Sequence, residues 1–356
     1  MKKKLFIIGC TGVPARYGGF ETFAENVALE LSKSLDVSVI CSSKLYTPDE
    51  RIINWNGINR IFYSMYPNGL GSIMYDLKGL LQAGKEADYI LLLGVGSGLF
   101  FPLLPSLRTK NLLIHIDGIE WKRPKWNLIE KIYLRIGFWF SLRYAKTIIL
   151  DNKALNDYIP DTFRKKTVIL NYGGNHLPVI EKLPVMTSEI SYALVIARAE
   201  PENNLHLILR IFEQLKNPRL IIISNWNNNR YGKKLYRYYS GVKNIQLLDA
   251  IYDAYQIHQY RMNCTLYIHG HSVGGTNPSL VEAMYAGLPI VAFDNEFNRI
   301  TTNNLAIYFR TGKDLEYILQ HSNQLNLSES AGKMKQYAMQ NYTWDKTARK
   351  LIKMIV

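Results

Sequence analysis

The stretch "HGHSVGGTNPSLVEAMYAGLPIV", residues 269–291, carries the clearest structural signal in the chain. A strand ends in its first letters, a loop of small residues follows, and a helix begins near Asn277 before a second apolar strand. Bare glycines let a ligand approach the backbone closely, and a helix N-terminus presents unpaired N–H groups to an anion. The stretch therefore predicts a strand–loop–helix unit with a phosphate-binding loop and one carboxylate, Glu282, inside the helix.

The same alternation of strand and helix extends in both directions through the 356-residue chain. Apolar runs of strand length lie at 4–9, 37–41, 89–94, 111–117, 146–150, 167–170, 192–197, 219–224, 245–249, 265–270 and 289–293. Continuous apolar strands separated by helical patterns are typical of parallel sheets covered on both faces. Residues 171–185 interrupt the rhythm with glycines and prolines. We therefore expect an α/β protein of two doubly wound Rossmann-like domains that face each other across a cleft.

Composition limits the class of protein and its partners. The chain has 43 Lys+Arg against 29 Asp+Glu, a formal net charge of +14, which favours anionic partners. Its three cysteines show no Cys-x-x-Cys spacing, which favours core packing in a reducing compartment over a disulfide or zinc framework. The apolar N-terminal run is too short for a signal peptide, and no uncharged run has the length of a bilayer span. The sequence predicts a cytoplasmic protein.

Two clusters of polar residues follow strands of the first half. Arg16, Gly18 and Gly19 lie in the loop after the first strand, where a plain strand-to-helix turn explains the glycines equally well. In "HIDGIEWKRPKW", residues 115–126, His115 and Asp117 end a strand, where acids and imidazoles are placed for chemistry. Neither first strand is followed by Gly-x-Gly-x-x-Gly, which disfavours a dinucleotide-dependent enzyme.

A third cluster lies in the second half and carries a resemblance to a known family. "VIARAEPENN" at 195–204, "YIHGHSVGGTNPSLVEAMYAGLPIVAFD" at 267–294 and "YTWDKTARKLIKMI" at 342–355 resemble the motifs of glycosyltransferase family 4. The resemblance implies the GT-B fold, with domains at 1–175 and 176–335 and a C-terminal helix at 336–356 that packs back toward the N-terminal domain. "GVPARYGGFET", "DGIEWKRPKW" and "HGHSVGGTNPSLVEA" further resemble a bacterial rhamnosyltransferase subset of polysaccharide assembly enzymes.

The resemblance also implies roles for individual residues. Glu282 bonds the pentose hydroxyls of the nucleotide, Arg198 offsets charge on the leaving diphosphate, and Asp117 orients or deprotonates the acceptor hydroxyl. The donor diphosphate is held by the backbone at the start of the helix and by the first loop. The residues expected to bind the donor are Arg16, Gly18, Gly19, His271, Gly275, Thr276, Asn277, Pro278 and Ser279.

Two positions depart from the family pattern. Gly274 stands where the family has a Glu that touches sugar hydroxyls, and Asn203 stands where it has a phosphate-binding Lys. The first departure fits a deoxygenated sugar, with His271 as a substitute ligand. The second places more weight on Arg198 and Arg16. Both departures also fit an inactive relative.

The resemblance implies a retaining glycosyltransferase that needs no cofactor or metal ion, and the chain has no Asp-x-Asp. We expect it to move a deoxyhexose, L-rhamnose from dTDP-rhamnose, onto a lipid-diphosphate-linked saccharide in cell-surface polysaccharide synthesis. The alternatives are a sugar-nucleotide epimerase or hydrolase of the same fold, or a non-catalytic nucleotide-sugar-binding partner. No nucleic-acid motif is present.

The aromatic and basic residues of 121–126 and 127–146 allow two interpretations. They predict either peripheral contact with an anionic membrane at the inner face of the cell, or core aromatics beside solvated cations.

Overall fold

The computed structural model describes residues 2–16, 18–67, 69–116, 118–124, 126–180, 191–215 and 218–355. The chain forms two compact units. The first consists of Met1–Lys122, Trp126–Tyr172 and Trp344–Val356, and the second of Arg123–Lys125 and Gly173–Thr343.

The first unit is built on an eight-stranded sheet. Its strands are β1 (Lys4–Ile8), β2 (Asp36–Ser42), β3 (Asn54–Trp55), β4 (Ile58–Tyr63), β5 (Tyr89–Leu93), β6 (Asn111–Ile116), β7 (Thr147–Leu150) and β8 (Thr167–Ile169). They lie in the order β3-β4-β2-β1-β5-β6-β7-β8, and all neighbours are parallel except the short β3–β4 pair. The order reverses direction at β1, as in a doubly wound fold.

Helices cover both faces of this sheet. They are α1 (Gly19–Leu31), α2 (Leu70–Glu86), α3 (Leu128–Tyr144) and the short α4 (Asp161–Arg164). Helix α1 packs on the face that carries Leu5 and Ile7. Helix α2 packs on the opposite face, where Gly79 approaches the side chains of Ile8 and Ile40. Right-handed crossovers place α3, which connects β6 to β7, in the same layer as α2.

The second unit is built on a six-stranded, wholly parallel sheet. Its strands are β9 (Tyr192–Ile196), β10 (Arg219–Ser224), β11 (Ile245–Asp249), β12 (Leu266–His269), β13 (Ile290–Phe293) and β14 (Ile307–Phe309). Its helices are α5 (Leu205–Gln214), α6 (Arg230–Tyr239), α7 (Ala254–Asn263), α8 (Pro278–Ala286), α9 (Glu296–Thr301), α10 (Gly312–Gln320) and α11 (Leu327–Asn341). The strand order β11-β10-β9-β12-β13-β14 reverses between β9 and β12. Ligands of doubly wound sheets bind at the carboxyl end of the strands at this switch point.

The last helix, α12 (Trp344–Ile355), belongs to the first unit. Trp344, Ala348, Leu351 and Ile355 repeat at helical spacing and are buried in one core with α1. The Thr347 hydroxyl also donates to the carbonyl of Asn171 at 2.6 Å. The predicted packing of the C-terminal helix against the N-terminal domain is confirmed.

All eleven apolar runs form strands, and the predicted architecture of two Rossmann-like sheets is confirmed. Sequence analysis missed β3, β4 and β14. Strand β4, "INRIFY", lacks a continuous apolar run because it contains Arg60, whose buried guanidinium donates to backbone carbonyls of Val13, Glu50 and Ile52. The cysteines Cys10, Cys41 and Cys264 are buried free thiols.

Candidate functional site

The loop between β12 and α8 has a fixed geometry at its helical end. The Asn277 side chain caps α8 by accepting from the backbone N–H of Ser279 at 3.2 Å and from its hydroxyl at 2.9 Å. Pro278 occupies the first helical position, where a missing N–H costs nothing. The Thr276 hydroxyl lies 3.4 Å from that of Thr301, and both are buried. The predicted helix start is therefore correct, and its side chains hold the loop in place.

The glycine part of this loop offers backbone donors. Within the described residues, no protein acceptor takes the N–H groups of Gly274 and Gly275. Gly274 has φ of 115°, a conformation that side-chain-bearing residues rarely adopt. A Glu at this position would be strained, so the departure from the family pattern changes the backbone as well as the side chain. The two amides and the N-terminus of α8 are donors of the kind that bind anions.

Arg198 supplies a cation at the same edge of the sheet. It follows β9, which pairs with β12, so Arg198 and the glycine loop both lie beyond the carboxyl ends of neighbouring strands. Its side chain is exposed, and in the described part of the chain it has no acidic partner. A guanidinium that is exposed and unpaired beside free amides can bind a phosphate through two N–H groups.

Asn203 and His271 connect the two segments. The Asn203 side-chain amide donates to the carbonyl of Arg198 at 2.8 Å, and its oxygen lies 2.7 Å from Nδ1 of His271. Because that oxygen can only accept, Nδ1 of His271 carries the proton and Nε2 is left as an acceptor. Burial, with nearby cations, holds the pKa of His271 well below its usual value. The residue that replaces the family Lys thus orients a neutral imidazole.

A buried ion pair, Arg123 with Glu202, lies next to Asn203 and His271. The Arg123 guanidinium is 3.8 Å from the Glu202 carboxylate, and both side chains are almost fully buried. Glu202 also accepts the backbone N–H of Ser272 at its carbonyl, at 2.8 Å. Arg123 therefore serves the interior of the second unit and does not belong to a membrane-facing cluster, as one interpretation of residues 121–126 required.

Glu282 lies in the second turn of α8 and is held by Arg261 and His176. Its carboxylate pairs with Arg261 of α7, and its other oxygen lies 3.5 Å from Nε2 of His176. Burial raises the pKa of Glu282, but Arg261 and His176 outweigh that effect and hold the pKa below its usual value. Burial also lowers the pKa of nearby His258, to about 4. The carboxylate is ionised and oriented, as a ligand for hydroxyl groups must be.

Sequence reasoning missed Arg261 and His176. Arg261 comes from the last turn of α7, and His176 from the segment before β9, so no fixed spacing links either residue to Glu282. A lone histidine is usually a surface or core residue, and nothing in the sequence marks these as exceptions.

In the loop between β1 and α1, acids bind the backbone amides and the arginine. Glu21 of α1 accepts the backbone N–H of Thr11 at 2.8 Å, and Glu25 accepts that of Ala15 at 2.7 Å. Arg16 donates to the carbonyl of Leu45 at 2.9 Å and pairs with Glu50.

Gly18 is the N-cap of α1 and Gly19 its first residue. The predicted approach of a ligand to these two glycines stays a prediction.

The second polar cluster of the first half gives a mixed outcome. Asp117 lies outside the described residues. His115 lies in the core, against the rings of Phe20, Phe23 and Tyr172, and neither ring nitrogen has a partner. Burial lowers its pKa to about 3, so it is a neutral packing residue. The interpretation of His115 as a residue placed for chemistry is therefore wrong.

Among the described residues, none of the helices combines the length and the apolar character needed to cross a bilayer.

Comparisons with known proteins identify the families that the two halves of the chain match. Residues 2–175 match the family "Domain of unknown function (DUF1972)", and residues 187–341 match the family "Glycosyl transferases group 1". No curated protein matches the chain in sequence.

Solved structures share the fold at low identity. Sucrose-phosphate synthase from Thermosynechococcus elongatus has a TM-score of 0.81 at 13% identity, over 99% of this chain and 98% of that one. Anabaena HepE, solved in complex with UDP, has a TM-score of 0.75 at 15% identity, over 99% of each chain. A glycosyltransferase from Rickettsia africae has a TM-score of 0.69 at 13% identity, over 99% and 97%. The chain therefore has the GT-B fold, and its residues 187–341 form a group 1 glycosyltransferase domain that follows a DUF1972 domain at residues 2–175.

Proposed function

We propose that this glycosyltransferase is retaining and metal-independent and moves L-rhamnose from dTDP-rhamnose onto a lipid-diphosphate-linked saccharide. The reaction belongs to bacterial cell-surface polysaccharide synthesis at the inner face of the cell membrane. The observation that carries the proposal is that Arg198 and the amides of Gly274 and Gly275 lie beyond the carboxyl ends of neighbouring strands and have no protein partner among the described residues.

These groups suit a reaction whose leaving group is a diphosphate. Negative charge grows on the diphosphate as the glycosidic bond breaks, and donors fixed in advance stabilise that charge without reorganising. Arg198, the two glycine amides and the N-terminus of α8 supply those donors from one edge of the sheet. In a retaining reaction the departing diphosphate also takes the proton of the incoming hydroxyl. The proposal therefore needs no catalytic base from the second unit.

The nucleotide end of the donor would meet Glu282. Arg261 and His176 keep its carboxylate ionised, so it can accept a hydrogen bond from the 3′-hydroxyl, the one free hydroxyl of the deoxyribose in dTDP. HepE, which shares the fold, was solved with a nucleoside diphosphate, UDP. That ligand supports a nucleoside diphosphate here but does not select the base.

A deoxygenated sugar is supported by two features of the loop. Gly274 brings no carboxylate to the sugar, and its positive φ disfavours any side chain. Nε2 of His271 is an acceptor held by Asn203, so one hydroxyl can be bonded where the family pattern uses a Glu. Asp117 is proposed as the residue that orients the acceptor hydroxyl, and Arg16, Gly18 and Gly19 as groups that approach the donor or acceptor.

A product assay tests the proposal directly. The protein is incubated with dTDP-rhamnose alone, and then with dTDP-rhamnose and a lipid-diphosphate-linked saccharide. We expect a rhamnosylated lipid only when the acceptor is present. Donor turnover without acceptor would instead identify an epimerase or hydrolase, and donor binding without turnover a non-catalytic partner.

The donor base is tested separately. Thermal shifts measured with dTDP, UDP and GDP should be largest for dTDP. A larger shift with UDP or GDP would contradict the rhamnose assignment and leave the transferase assignment intact.

A further inference from the structure

Helix α3 exposes an apolar face. Five large side chains on one side of this helix are 41–79% exposed, and they are Leu128, Ile129, Ile132, Ile136 and Trp139. The opposite side is also apolar and buries Phe138 and Leu142 in the first unit. A helix that is apolar on both sides is normally enclosed on both sides. The outer face of α3 therefore lacks the covering that its composition calls for.

Among the described helices of the first unit, the exposed apolar side chains lie in one of the two layers that cover the sheet. The layer that contains α2 and α3 also exposes Met74, Leu81 and Leu103, and Leu103 is 73% exposed. No large apolar side chain of α1 or α12 is similarly exposed in the described part of the chain. Because both layers cover the same sheet, the difference cannot come from a general shortage of polar residues.

The segment that carries Leu103 is joined closely to α3. A Cβ on Gly98 would collide with the carbonyl of Gly137, so the 3₁₀ segment Gly98–Leu103 and α3 are in backbone contact. Between this segment and α2 lies an open depression of about 440 Å³, lined mainly by Met65, Met74, Leu77, Leu81, Phe100 and Leu103. Lys78 is the charged residue of the lining. The exposed apolar surface thus extends from α3 toward α2.

Charge identifies the occupant of this surface. On α3, Lys131, Arg135 and Arg143 are cations, whereas its one acid, Glu130, is used to cap the helix. Arg143 lies on the exposed face, and Arg135 borders it. Apolar side chains next to cations match a bilayer that has a hydrocarbon interior and anionic headgroups. A second protein would have to bring an apolar patch ringed with acids.

We propose that the outer face of α3 docks on an anionic lipid bilayer, with Leu128, Ile129, Ile132, Ile136 and Trp139 inserted below the headgroups. The inference deepens the proposed function, because it states how the enzyme reaches a lipid-linked acceptor. It depends on that function only for the acceptor, since binding to lipid needs neither donor nor transfer.

Vesicle co-sedimentation without donor tests the docking. The vesicles are an equal mixture of phosphatidylcholine and phosphatidylglycerol, and the full chain is compared with Ile132→Ser/Trp139→Ser. We expect the double variant to bind at least about tenfold more weakly. Ile52→Ser/Ile53→Ser is the matched control, because Ile52 and Ile53 are 57% and 72% exposed outside this layer. The control should bind like the unaltered chain.

Two further measurements separate insertion from general attraction. Lys131→Gln and Arg135→Gln should each weaken binding about fivefold, and only on the anionic vesicles. Brominated lipid should quench tryptophan fluorescence, and Trp139→Phe should remove most of the quenching while it still binds.

Three outcomes would overturn the proposal. They are no binding of the unaltered chain, equal binding of the serine variants on and off α3, or a dimer that Ile132→Ser/Trp139→Ser dissociates. The last outcome would assign the face to a second copy of the chain. Loss of transfer with normal vesicle binding would count against the proposed function and leave the docking intact.

Discussion

The two units place similar loops after similar strands, yet the arginine of the first loop is paired with an acid and, among the described residues, that of the second is not. The loop before α1 and the loop before α8 both contain glycines and both lie near an arginine. In the first, Glu21 and Glu25 take the amides of Thr11 and Ala15, and Arg16 is paired with Glu50. In the second, the amides of Gly274 and Gly275 and the side chain of Arg198 have no protein partner among the described residues.

The difference lies in the charge that each loop presents and not in its glycines. What decides is whether acids in the following helix reach back to the loop. Helix α1 carries two such acids, and Glu282 of α8 is instead engaged by Arg261 and His176. Among the described residues, the second loop therefore has a cation, Arg198, that no acid neutralises.

Removing Arg198 and Arg16 in turn tests the difference between the two loops most directly. We expect Arg198→Ala to lower turnover about a thousandfold, because charge on the leaving diphosphate loses its cation. Arg16→Ala should lower turnover much less, because Glu50 already neutralises the Arg16 guanidinium. Turnover with dTDP-rhamnose and a lipid-linked acceptor is the measurement, with melting temperature as the check on folding. Near-normal turnover in Arg198→Ala would contradict the role of Arg198 at the leaving diphosphate.

The Arg261–Glu282 and Arg16–Glu50 ion pairs should also differ in how much they contribute to the stability of the protein. Glu282→Gln leaves the Arg261 guanidinium, whose side chain is 2% exposed, without a charged partner. We expect the free energy of unfolding to fall by about 3 kcal/mol. Glu50→Gln should have little effect, because both partners of that pair are more than one third exposed to solvent.

Urea denaturation, with hydrogen exchange of α7 and α8, provides the comparison. Equal losses in the two variants would show that burial does not distinguish the pairs.

The smallest expected effect is a loss of folding stability at acid pH, caused by His258 near the Arg261–Glu282 pair. Burial and Arg261 lower the pKa of His258 from 6.5 to about 4, so the unfolded chain binds a proton first as the pH falls. The stabilisation is complete above pH 6.5 and decreases toward pH 4, by about 2 kcal/mol at about pH 5.

His258→Leu should remove this part of the pH dependence, whereas His321→Leu, at the end of α10, should not. Urea titrations at several pH values measure the slope. An unchanged slope in His258→Leu would assign the acid sensitivity to other groups.

The sequence predicted the fold well where burial alone determines it. Strands such as β5 and β10 are covered on both faces, so their continuous apolar runs were sufficient. Strand β4 was missed because Arg60 is buried for its hydrogen bonds, and bonding partners from distant residues leave no local pattern.

The candidate site was also predicted in part from the sequence, where local position alone was enough. The glycine loop and Arg198 lie next to strands and could be located by their position. The roles of Asn203 and His271 depend on a bond between segments that are 68 residues apart, and only the structure reveals it.

The placement of α12 has a consequence for the newly made protein. The core of the first unit includes Trp344, Leu351 and Ile355, which are translated after the entire second unit. Domains tend to fold in order as they leave the ribosome. Here the earlier domain must wait with part of its apolar core uncovered until the last helix emerges. A nascent chain stopped before Trp344 should therefore bind chaperones through the exposed surface of α1.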